Sequence, residues 1–102
     1  MAQFEINVEA GVVAKIKGGD VIGYQATPII LDPLSLSYSG YGNLCLYLLS
    51  ITNISGLYNI VLLQNGKNSR FSAEGTGTCN IELYVEDEFG NNATDVITIT
   101  IN

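Results

Sequence analysis

The C-terminal quarter of the chain alternates. In Thr78-Cys79-Asn80-Ile81-Glu82-Leu83-Tyr84-Val85-Glu86, the apolar Cys79, Ile81, Leu83 and Val85 take every second place, and Ile97, Ile99 and Ile101 do the same against Thr98 and Thr100. A period of two sends one set of side chains to one face of an extended strand and the other set to the opposite face. β-Branched residues crowd both segments, which suits a pleated surface. Between them, Asp87-Glu88-Phe89-Gly90-Asn91-Asn92 supplies the Gly and Asn that accept positive φ and turn a chain. The two segments read as a β-hairpin.

The same grammar recurs upstream. Ile29 to Ser37 reads as a strand, with Pro33 marking an edge or a bulge. Asn43 to Thr52 is apolar at neighbouring as well as alternate positions, the pattern of a central strand covered on both faces. Tyr58–Gln64 and Ser69–Ala73 flank Asn65-Gly66, a strong short hairpin signal. Val12 to Lys17 forms another short candidate before Gly18-Gly19-Asp20, and Phe4, Ile6 and Val8 alternate near the start. No stretch carries a capped 3.6-residue stripe. About seven short strands in 102 residues indicate an all-β chain folded as two antiparallel sheets in a sandwich. With no internal repeat and no linker, residues 11–102 read as one domain, preceded by residues 1–10 as an N-terminal strand or arm.

Composition removes several function classes. Ten acids against four bases leave a net charge of -6, and the bases are Lys15, Lys17, Lys67 and Arg70. Nucleic acid and anionic membranes repel such a surface and find no basic cluster on it. Histidine is absent, which withdraws the usual general base near neutral pH, the Ser-His and Cys-His pairs and the commonest zinc ligand. Gly75-Thr76-Gly77-Thr78 precedes strand-like residues, so it matches neither a P-loop nor a dinucleotide fingerprint. No enzyme and no cofactor are expected. No apolar run nears the roughly 18 residues of a membrane span, and Met1 to Val8 lacks the pattern of a secretory signal.

Residues 77–101, GTCNIELYVEDEFGNNATDVITITI, resemble the closing hairpin of bacterial and viral immunoglobulin-like domains of the PKD and cadherin-like type. In that family a Gly-Thr-led alternating strand ending in Asp is followed by a Gly-Asn turn and a Thr-rich last strand. Here Asp87, Gly90 and Asn91 match the turn, and Ile97, Ile99 and Ile101 the last strand. Leu31-Asp32 and Ser37 look like the second strand of the family, and Leu44 to Leu49 like its third. Most of residues 12–102 is covered, the last 25 most closely. The third strand lacks the frequent core tryptophan, and Cys79 stands where an aromatic is common. The resemblance implies an immunoglobulin-like β-sandwich, a statement about fold more than function.

That topology places Tyr38 and Tyr41, beside the loop after the second strand, at the same end as Phe89 in the last turn, with Lys67 and Arg70 near the Asn65-Gly66 turn. Such a tip is a candidate contact surface for a protein or a glycan; the plainer alternative has Tyr38 plugging the end of the core. Cys45 and Cys79 fall on neighbouring strands. A bridge between them would be strained and would need an oxidising compartment, and without a secretory signal two buried, reduced thiols acting as small hydrophobes are the preferred reading. Asp20, Asp32, Asp87, Glu88 and Asp95 offer oxygens to calcium, but without a spaced acidic loop they read as solvated turn residues. The sequons at Asn53 and Asn92 receive no function.

These features lead to three expected functions. The first is a non-enzymatic structural or decoration protein of a phage virion, on capsid or tail, assembled in the host cytoplasm and partnered by virion subunits. It follows from an initiator Met running directly into a foldable domain of a surface-serving type, and it makes Phe4, Ile6 and Val8 an assembly arm that adds a strand to a neighbour. The second is a spacer or adhesion module of a bacterial surface or secreted protein. The third is a carbohydrate-binding module using the aromatic tip.

Overall fold

The computed structural model describes residues 11–102. Nine strands form among these residues: β1 (Val12–Val13), β2 (Val21–Gly23), β3 (Ile29–Leu31), β4 (Tyr38–Ser39), β5 (Leu44–Ser55), β6 (Tyr58–Leu63), β7 (Ser69–Glu74), β8 (Gly77–Asp87) and β9 (Asn92–Ile101). No helix is present among them. A four-stranded sheet has the order β2-β9-β8-β5, a three-stranded sheet the order β3-β7-β6, and β1 pairs with β4 alone. The arm residues Phe4, Ile6 and Val8 lie outside the described residues.

The alternation of the last two strands builds the core. Cys79, Ile81, Leu83 and Val85 of β8 and Ile97, Ile99 and Ile101 of β9 are buried, and they pack with Leu31, Phe71 and Ala73 of the three-stranded sheet. One apolar layer between two sheets is the sandwich-like solution to strands with one greasy face. Ile16 and Leu57, from the connections, complete the buried cluster.

Several details differ from the sequence expectation. The strands are not all antiparallel: β2 runs parallel to β9, with Val21 opposite Ile99 and Gly23 opposite Ile101. Gly18 and Gly19 adopt φ of 94° and 68°, turning the chain so that residues 21–23 meet the last strand from the same direction. The segment from Val12 to Lys17 pairs only at Val12 and Val13. The strand expected over Ile29 to Ser37 stops at Leu31. Asp32 then accepts hydrogen bonds from the N–H groups of Leu34 (3.1 Å) and Ser35 (2.9 Å), and this local turn competes with continued pairing.

The expectation of a doubly covered central strand also fails. Among the described residues, β5 pairs with β8 on one side and forms the end of its sheet. Its inward residues Tyr47, Leu49 and Ile51 join the core, whereas Leu46 and Leu48 are 48% and 51% exposed. On the outer face of this sheet, register places Leu46 beside Glu86, Leu48 beside Tyr84, and Val96 beside Glu82. On the outer face of the other sheet, Arg70 lies between Ile30 and Leu63.

Candidate functional site

The β4–β5 loop (residues 40–43) and the β8–β9 turn (residues 88–91) meet at one end of the molecule. Their junction is Asp87, the last residue of β8, whose side chain is buried. Its Oδ1 accepts from the N–H groups of Phe89 (2.9 Å) and Asn91 (2.9 Å), and its Oδ2 from Ser39 Oγ (2.8 Å) and Asn91 Nδ2 (3.2 Å). Burial by itself would raise the pKa of this carboxyl. The donations from Ser39, Asn91 and the two backbone N–H groups outweigh that and hold it below the ordinary Asp value. A second clamp is reciprocal: Asn43 N–H donates to Glu88 Oε2 (2.9 Å), and Glu88 N–H donates to Asn43 O (3.0 Å).

These clamps carry the aromatics. Tyr41 is 57% and Phe89 66% exposed. The Phe89 ring lies against Gly42, where an added β-carbon would come 2.8 Å from Cε2; the Tyr41 ring lies in the same way against Gly11. Each ring therefore rests on backbone that has no side chain to push it away. Tyr38, on β4 opposite Val13, is also exposed, so it does not plug the core. As the first residue of a two-residue ladder it turns outward.

The Asn65-Gly66 turn is fastened to β5. Gly66 N–H donates to Tyr47 Oη (2.7 Å) and Leu49 N–H donates to Gln64 Oε1. Buried Ser69 closes the turn from within, accepting from Asn65 N–H (3.0 Å) and donating to Gly66 O (2.7 Å). Lys67 sits in this turn, while Arg70 belongs to β7 and faces outward from the three-stranded sheet. A depression of about 310 Å³, lined by Leu34, Leu44, Cys45, Leu46 and Tyr47, lies beside the start of β5.

All five acids considered as oxygen ligands hold backbone instead. Asp20 accepts from Thr98 N–H, Asp95 from Ile16 N–H, and Asp32, Asp87 and Glu88 from the N–H groups given above. Asp87 is a buried strut rather than the solvated turn residue expected. Among the described residues, no group of three or more His, Cys, Asp or Glu side chains converges. Cys45 and Cys79 are both unbridged; Cys79 is buried as expected, but Cys45 is exposed. Register separates them along the β5–β8 pair: Cys79 adjoins Asn80, opposite Thr52, whereas Cys45 lies by the Leu44–Asp87 end. Burial pushes the Cys79 thiol pKa up.

Sequence reasoning missed Tyr47, whose hydroxyl holds a turn 19 residues away; its place between leucines marks it only as strand. No protein-family model matches this chain, and no curated protein sequence is detectably similar to it.

Proposed function

We propose that this chain is a non-enzymatic structural module, an immunoglobulin-like sandwich that decorates a phage virion at its capsid or tail surface. The fold assignment draws support from strand order. With β3, β5, β6, β7, β8 and β9 taken as strands B to G, these six group as B-E-D and G-F-C, with β2 added in parallel beside G, and strands B to G group in the same way in that fold. The observation that carries the functional reading is the tip, where Tyr41 and Phe89 stand exposed on loops locked by Asp87 and Glu88. Rigid exposed aromatics give contact area without an ordering cost on binding. The module works by contact, with its partner a virion subunit and the arm at Phe4, Ile6 and Val8 adding a strand to that neighbour.

The test is co-sedimentation of the purified chain with virions of the phage that encodes it. The full chain is expected to pellet with the particles. A variant lacking residues 1 to 9 is expected to keep the wild-type circular dichroism spectrum and lose attachment, and Tyr41→Ala with Phe89→Ala to weaken it. Full-length chain that stays in the supernatant overturns the decoration reading, and undiminished attachment of the shortened chain overturns the arm.

The exposed aromatics also favour a second reading, an autonomous carbohydrate-binding module. It requires retention on a glycan array that disappears with Tyr41→Ala or Phe89→Ala.

A further inference from the structure

Asn65 is the one asparagine of the chain followed by glycine, and that pair carries its own chemistry. The backbone nitrogen of Gly66, once its proton has gone to solvent base, can attack Asn65 Cγ. An N–Cγ bond forms, the Cγ–Nδ2 bond breaks, and the amide nitrogen leaves as ammonia after taking a proton from water. Water then opens the cyclic imide at either carbonyl, leaving aspartate or isoaspartate, with nothing oxidised or reduced. Glycine suits the step because no β-carbon keeps its nitrogen from a close approach.

The fold leaves the side chain accessible and ties the nitrogen down. Asn65 is exposed, so water and base reach its amide. Gly66, at φ 56°, donates its N–H to Tyr47 Oη (2.7 Å), and its carbonyl accepts from Ser69 Oγ (2.7 Å). Asn65 is tied as well: its N–H donates to Ser69 Oγ (3.0 Å) and its carbonyl accepts from Asn68 N–H (3.0 Å). The peptide plane between the two residues is therefore pinned at nitrogen by a strand of the opposite sheet and at oxygen by its own turn. To reach Cγ, the nitrogen must leave the phenol, lose its proton and rotate this plane. We infer that Asn65 is a site of spontaneous deamidation kept closed by the Tyr47 and Ser69 hydroxyls, and that its conversion unfastens the Asn65-Gly66 turn from β5. This modification goes beyond the decoration reading and depends on neither the aromatic tip nor the arm.

Conversion changes the turn in two ways. Either product adds a negative charge, taking the net charge from -6 to -7. Isoaspartate also places an extra carbon in the main chain between residues 65 and 66, which lengthens the path by about 1.5 Å. Gly66 N–H and Asn65 O then cannot both keep their present partners. The adjoining tie, Leu49 N–H to Gln64 Oε1, belongs to the same attachment and loosens with it.

Peptide mapping by mass spectrometry, on the full chain held in mildly alkaline buffer, follows conversion at Asn65. The folded wild type is expected to convert more slowly than the same chain unfolded in urea. Tyr47→Phe removes a single hydrogen bond and should speed conversion about two- to tenfold, while Asn91 and Asn92 keep their wild-type rates. Ser69→Ala, which releases Asn65 N–H and Gly66 O, should act in the same direction. Circular dichroism checks that both variants remain folded. The converted wild type, separated by its extra charge on an anion exchanger, should show faster hydrogen exchange at the Gly66 and Leu49 amides than the parent. Should a variant fail to fold, the folded and unfolded wild type and the exchange measurement still decide. Equal rates in folded and unfolded wild type overturn the proposal, as do unchanged rates in both variants. Acceleration at Asn91 and Asn92 to the same degree as at Asn65 would mean global loosening and overturns the role of the two hydroxyls. Hydrogen exchange unchanged by conversion overturns the unfastening.

Discussion

The Asp87 side chain joins the end of β8 to Ser39 of β4 and to the β8–β9 turn, and its ionisation is therefore linked to folding. The folded-state pKa lies below the ordinary Asp value because Ser39, Asn91 and two backbone N–H groups stabilise the anion against the effect of burial. A depressed pKa contributes stability that is fully present above the unfolded value, near 3.9. That contribution is lost as pH falls through the lower folded value. Asp32, which burial alone would raise but which hydrogen bonds from Ser35 and Leu34 and the charge of Lys17 together lower, acts in the same direction. Urea midpoints measured from pH 7 to pH 2 should stay level down to about pH 4 and then fall. Asp87→Asn should lower the midpoint at pH 7 and flatten the acid limb. The turn itself was legible, since Asp87, Gly90 and Asn91 are turn residues in sequence. Burial of the carboxylate was not, because its closing donor, Ser39, stands 48 residues away, and no local pattern encodes that meeting.

At the scale of elements, alternation separates side chains that bear load from those that do not. Leu83 is fully buried between the sheets while Leu48, on the next strand of the same sheet, faces out. Leu83→Ala should cost about 2–5 kcal/mol through lost burial and the cavity left behind. Leu48→Ala should stay within about 0.5 kcal/mol. Equilibrium denaturation in urea reads both, and near-equal losses would contradict the assignment of inner and outer faces. Period two identified β8 and β9 because each has one wet face and one dry face. It failed for β5, whose apolar residues occupy both faces: local sequence records that a surface is greasy, not whether its own chain covers it. It failed again after Leu31, where side-chain hydrogen bonds from the Asp32 turn won over strand propensity.

For the whole molecule, the two thiols give a direct measure of cooperativity. Cys45 is exposed and Cys79 buried in the core cluster. In the native state a thiol reagent should label Cys45 rapidly and Cys79 only as fast as the sandwich opens. Mass spectrometry of timed samples should thus show one label early and the second on the timescale of global unfolding. Two labels gained together would mean that Cys79 is reached by a local route. The all-β architecture was readable from turn spacing. The parallel placement of β2 and the small β1–β4 ladder were not, because both depend on where distant strands finish.

Position along the chain adds a consequence for β5. Its twelve residues include no charged side chain, and among the described residues its partner in the sheet is β8, which begins 22 residues after β5 ends. On a ribosome adding about 5–20 residues per second, that partner arrives on the order of seconds late. During the interval Leu46, Leu48 and the inward Leu49 and Ile51 are all available to other nascent chains. An uncharged stretch of high β-propensity is then an aggregation hazard, so the yield of this protein should depend on how fast the stretch between Ser55 and Gly77 is translated.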